Sequence, residues 1–114
     1  MTDDATMLTP EQDAALALLA DPGTDHHRPP YWMHRQQCRR AHRLIGKALV
    51  KAGRADLLDS GPMLNLDAIA KDPGDWMLHP ADMRALTAAA GAFDLHGLAM
   101  TMTLAALLPP AAAA

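Results

Sequence analysis

The stretch RQQCRRAHRLIGKALVKAGR, residues 35–54, decides the fold class. Wound at about 100° per residue, it places Arg35, Arg39, Arg43, Lys47 and Arg54 within about a third of a turn. Cys38, Ala41, Ile45, Ala48, Leu49 and Ala52 fall on the opposite side. An apolar face and a cationic face at helical period define an amphipathic helix. It is expected over 31–52, with Gly53 in the left-handed position that closes a helix C-terminus. The remaining composition agrees. Half of the 114 residues are hydrophobic, and Tyr31, Trp32, Trp76 and Phe93 are the whole aromatic set. The apolar half is mostly Ala, Leu and Met, which lose little rotamer freedom in a helix. The expected fold is all-α, a small bundle of three to five helices with a long C-terminal helix, formed as one domain over 1–114 with flexible tails at 1–8 and 109–114.

Punctuation outside that stretch sets the other elements. Thr9-Pro10-Glu11-Gln12 reads as an N-cap, a proline at the first helical position and a capping-box glutamine, opening a helix to about Ala20. Asp21-Pro22-Gly23 stops it, and Pro29-Pro30 holds the following polar loop extended. Residues 54–59 suit a short helical turn, 63–71 a short helix, and Asp72-Pro73-Gly74-Asp75 a turn. The last helix is expected over 80–108, capped from His79 and ended by Pro109-Pro110.

Charge is unevenly distributed. Arg28, Arg35, Arg39, Arg40, Arg43, Lys47, Lys51 and Arg54 form a run of eight cations with no acid among them, whereas all 13 acids lie elsewhere beside only Lys71 and Arg84. A net charge of −3 therefore conceals a strongly basic helix in an acidic frame. Cations at helical spacing suit phosphates or an acidic protein surface, so Arg35, Arg39, Arg40, Arg43, Lys47, Lys51 and Arg54 are the candidate partner-binding residues. The plainer alternative is a solvated face partly neutralised by acidic loops.

His34, Cys38 and His42 share a face at intervals of four and raise a metal question, with His26 and His27 in the preceding loop as further candidates. A rise of about 1.5 Å per residue separates adjacent members by about 6 Å and the outer pair by about 12 Å. Zinc ligands sit about 2.0–2.3 Å from the ion, so an unbroken helix cannot offer all three to one metal. No second spaced pair such as C-x-x-C is present. Cys38 therefore reads as a core-lining thiol beside partly buried histidines, and no cofactor is expected.

Met83, Leu86, Ala90, Phe93, Gly97, Met100, Leu104 and Leu107 recur at alternating steps of three and four, the pattern of a helix–helix seam. The other side of the same run is also apolar but small, through Ala85, Ala88, Ala92, Ala99 and Ala106, with Leu95 and Met102. A helix apolar on two sides is either central to a bundle or shared with a second subunit, so core packing and homodimerisation both stand. Gly91 and Gly97 are its weak points. From Leu95 onward there is no Asp, Glu, Lys or Arg, yet 95–108 falls short of the about 20 apolar residues that cross a bilayer, so no membrane partner is expected.

Nothing in the sequence motivates an enzyme. Ser60 is the sole serine and stands in a turn, and neither a glycine-rich phosphate loop nor H-E-x-x-H is present. One cysteine makes no internal disulfide, and MTDDATML is not a secretion signal, so a soluble cytoplasmic location is expected. The run CRRAHRLIGKALVKAGRADLLD resembles the basic segment of TraD-like conjugal-transfer accessory proteins through Arg40, Arg43, Leu44, Ile45, Leu49, Val50, Lys51, Ala52 and Gly53. It covers about a fifth of the chain. Ala48 stands where that family has glycine, and Arg54 where it has leucine. The resemblance implies a mobile-element accessory acting with DNA or the relaxase assembly and brings no catalytic residue. The functional expectation is a non-enzymatic binding protein, first a nucleic-acid-associated regulator, second a protein-binding inhibitor or adaptor, third a His/Cys metal-binding structural protein.

Overall fold

The structure is a computed structural model that describes residues 8–23, 35–71 and 78–107, with 105–107 known through the backbone alone. The described regular elements are helical: α1 (Pro10–Ala20), α2 (Arg35–Lys51), a 3-10 turn (Ala55–Asp59), α3 (Gly61–Lys71), α4 (Pro80–Ala92) and α5 (His96–Leu107). The expected start of α2 at Tyr31, the Asp72–Asp75 turn, the tail 109–114 and residues 1–7 of the expected tail 1–8 lie outside the described residues, whereas Leu8 is partly buried against the core because its apolar side chain finds cover there.

Capping residues fix where these helices begin. Thr9 Oγ1 accepts from the Gln12 backbone N–H at 3.1 Å, and Gln12 Oε1 accepts from the Thr9 N–H at 3.0 Å, the reciprocal pair of a capping box. Gln12 Nε2 also donates to the Ala92 carbonyl at 3.2 Å, so the residue that starts α1 satisfies an end carbonyl of α4. His79 Nδ1 accepts from the Ala81 N–H at 3.1 Å, with Pro80 at the first helical position of α4. The expected His79 cap is thus present.

Two helices end in the same backbone motif with different residues. Arg54 N–H donates to Leu49 O at 2.8 Å and Gly53 N–H to Val50 O at 3.1 Å, while Gly53 has φ 76°. This is a Schellman ending on glycine, as the sequence led us to expect. At the end of α4, Leu95 N–H donates to Ala90 O at 2.8 Å and Asp94 N–H to Gly91 O at 3.2 Å, with Asp94 at φ 61°. The single long helix expected over 80–108 is therefore two helices. The break lies at Phe93–Asp94–Leu95 rather than at Gly91 or Gly97, because aspartate is among the few non-glycine residues that tolerate the left-handed region.

That break assigns the apolar run. α4 is buried on nearly every side: Met83, Ala85, Leu86, Ala89 and Ala90 are all at or below 2% exposure. It packs between α1 and α5 and also touches α3 and α2, which makes it the central helix. Both apolar sides of α4 are thus satisfied within the chain. α5 turns Leu98 and Met102 into the core, whereas Met100 and Leu104 are 63% and 54% exposed. The expected seam accordingly divides: Met83, Leu86 and Ala90 are core, Phe93 is partly buried, and Gly97, Met100 and Leu104 face outward. The side chain of Leu107 lies outside the described residues.

α2 packs mainly on α3 through Cys38, Ala41, Ile45 and Leu49, each fully buried. Asp82, the one buried charged residue among those described, accepts a hydrogen bond from Asn65 Nδ2 and ties α4 to α3. No helix among the described residues is long and apolar enough to cross a membrane.

Candidate functional site

Seven cations on and after α2 are the expected partner-binding residues, five of them within a third of a turn, and the structure divides them. Arg54 is engaged by Asp56 through two contacts, Nε–Oδ1 at 3.1 Å and Nη2–Oδ2 at 3.2 Å. The hydrogen bond from Arg54 holds the Asp56 carboxyl below its ordinary range. Arg39 Nη2 donates to the Ala70 carbonyl at 3.3 Å, so this guanidinium caps the C-terminal turn of α3. Arg40 extends towards α5, with Nη2 3.8 Å from where a Cβ on Gly97 would lie. Arg35, Arg43, Lys47 and Lys51 are exposed, and no acid stands on α2 to neutralise them.

Around three of these four the surface is not simply polar. His42, Arg43, Gly46, Lys47, Val50 and Lys51 of α2, with Leu58 from the 3-10 turn, line an open groove of about 440 Å³. Its floor is apolar. Val50 is 56% exposed, and Gly46 lies beside the turn, where an added Cβ would be in contact with Leu58 Cδ2 at 3.4 Å. Arg43, Lys47 and Lys51 follow one another at intervals of four along the rim, about 6 Å apart by helical rise. His42 stands at the other end of the lining. Its field contributes to lowering the Asp67 carboxyl, whose main partner is the Lys71 ammonium at 2.9 Å.

Sequence reasoning missed this groove because it sorted α2 into cations and core. One signal was available: Val50 falls between Arg39 and Arg43 on the wheel, an aliphatic side chain on the charged side. Leu58 had no such signal, since only the tertiary packing of the 3-10 turn brings it to α2.

Cys38 is buried, and burial pushes its thiol up to about 11. It is therefore neutral near pH 7 and a poor metal ligand or nucleophile. Ser60 Oγ is buried without a hydrogen-bond partner among the described residues. No group of three His, Cys, Asp or Glu side chains able to hold a metal forms among the described residues, and His26, His27 and His34 lie outside them. His42 is therefore the remaining described histidine of the expected set, and it belongs to the groove.

Comparison with known protein families, characterised proteins and solved structures finds no match.

Proposed function

We propose that this protein is a non-enzymatic binding protein that presents the outer face of α2 to an anionic macromolecule. One observation carries the reading: Arg35, Arg43, Lys47 and Lys51 are exposed on a helix that contains no acid, while the neighbouring acids Asp56 and Asp67 are paired with Arg54 and Lys71. Asp56 and Asp67 thus neutralise other cations rather than this row. The resemblance to TraD-like accessory proteins supports a setting in a mobile element, where both a nucleic acid and a partner protein are at hand.

The two anionic targets place different demands on the face. Phosphates need only the cations, and binding then weakens linearly in log–log form with salt, by about 0.9 per duplex phosphate contacted. An acidic protein surface uses the cations together with the apolar floor of Gly46, Val50 and Leu58. That floor favours the protein target, as does the net charge of −3, which opposes a long polyanion.

The test of the shared reading is a titration of the protein with duplex DNA and with an acidic polypeptide across a salt series. The triple variant Arg43→Ala/Lys47→Ala/Lys51→Ala should weaken binding and flatten the salt slope by about 0.9 for each phosphate contact removed. Binding that is equally tight in the triple variant would rule this face out.

A further inference from the structure

We infer that the groove beside α2 is a docking site for an acidic amphipathic helix of a partner protein. The inference rests on the reading that this face binds an anionic macromolecule, and it names the class of partner. Three features lead to it.

First, the site has two parts side by side. The row Arg43, Lys47 and Lys51 runs along one wall, and the apolar strip of Gly46, Val50 and Leu58 lies next to it. A matching ligand carries a row of carboxylates directly beside a row of apolar side chains. Nucleic-acid backbone supplies the first but would cover Val50 and Leu58 with phosphate and sugar, removing apolar surface from water without an apolar partner.

Second, the spacing selects a helix. The rim cations are about 6 Å apart, the step between residues i and i+4 of an α-helix. An extended strand also repeats on one side at about 6.6–6.8 Å, but it sends the intervening residues to the opposite face. Glu in alternate positions of a strand would therefore point its apolar neighbours away from the groove. A helix with acids at i and i+4 and leucines at i+3 and i+7 presents both rows together.

Third, charge limits the size of the anion. Asp59, exposed and adjacent in the chain to the groove residue Leu58, and Asp67, close enough to His42 to feel its charge, stand near the groove. Screening restricts their repulsion to roughly 8–10 Å, so a single helix seated over the cations is less affected than a duplex broad enough to meet both acids.

The experiment uses the full chain and four fluorescent probes at one near-physiological salt concentration. They are a helical peptide with Glu at i, i+4 and i+8 and Leu at i+3 and i+7, the same peptide with Ser for Leu, the same peptide with Gln for Glu, and duplex DNA. The Leu/Glu peptide should bind at least about tenfold more tightly than either control peptide, since burying two leucines exceeds the about 1.4 kcal/mol that a factor of ten requires. Val50→Ser, at an exposed position, should remove the advantage of Leu over Ser, and Lys47→Glu should weaken the Leu/Glu peptide most. Thermal melting of both variants checks that they remain folded. Equal binding of the Leu and Ser peptides, insensitive to Val50→Ser, would overturn the docking inference and leave the anionic-face reading standing. Tighter binding of duplex DNA than of the Leu/Glu peptide would overturn it in favour of nucleic acid. Binding of none of the probes would remove both.

Discussion

α2 and the 80–107 region carry equally regular apolar patterns, yet only one of them mapped simply onto three dimensions. In α2 the cations forbid half of the circumference to the core, so Cys38, Ala41, Ile45 and Leu49 have one way to face, and all four are fully buried. In 80–107 no such constraint exists, because after Arg84 the only charged side chain is Asp94. The a/d spacing ran unbroken through it, but the helix did not. An apolar pattern identifies surface that needs cover; charge on the opposite face says where the cover is not. Where the second is missing, packing decides, and here the chain turns at Asp94 in the left-handed conformation.

The largest expected effect breaks the seam pattern into its two halves. Leu86→Ala, in α4 and fully buried, should cost about 2–5 kcal/mol of unfolding free energy, whereas Leu104→Ala, at 54% exposure, should cost well under that range. Urea unfolding of both variants measures the difference. Equal losses would mean that α5 is covered by a second surface, which sedimentation of the same samples would reveal.

Next in size come the two left-handed helix ends. Gly53→Ala should destabilise by about 1–2 kcal/mol, the cost of a Cβ at positive φ, and Asp94→Gly should stabilise by up to about 1 kcal/mol. Opposite signs in thermal melts would sharpen the comparison between the two C-termini. A destabilising Asp94→Gly would show that the carboxylate has a role beyond tolerating the conformation.

Gln12 offers a change of about 1 kcal/mol with an instructive sign. Glutamate suits a capping box as well as glutamine does, but Gln12→Glu removes the N–H that donates to Ala92 O and should therefore destabilise. Thr9→Ala, losing the cap alone, should also cost about 1 kcal/mol. An unchanged melting temperature for Gln12→Glu would mean that the bond to α4 contributes nothing in solution.

The effect that is smallest near neutral pH is that of titration. The Cys38 thiol titrates near 9.0 when unperturbed and about 11 in the fold, so the folded state holds the proton more tightly between these values. Its contribution to stability is complete below about pH 9 and is lost as pH rises through about 11. A thiol reagent at neutral pH should react with Cys38 only at the rate of opening or unfolding. Fast stoichiometric modification of the native protein would contradict the burial.

Much of the site was legible in part. The cationic row was readable because charge and period coincide on α2, but which cations stay available was not. Arg39 and Arg54 looked equivalent to Arg43 on the wheel. Their fates depend on the Ala70 carbonyl at the end of α3 and on the Asp56 carboxylate in the 3-10 turn, neither of which a helical projection contains. The groove was hidden for a related reason: Val50 hinted at it, while Leu58 reached it through the fold.

The sequence by itself determined the helical class, the caps at Thr9 and His79, the glycine ending of α2 and the face of α2 that enters the core. Each rests on contacts within a turn or two of chain, where residue type dictates geometry. The tertiary structure alone decided the division of the C-terminal run into α4 and α5, the central place of α4, and the split of seven cations into anchored and available ones. Those outcomes depend on partners distant along the chain, and the free energy of such packing and hydrogen bonding outweighs local periodicity.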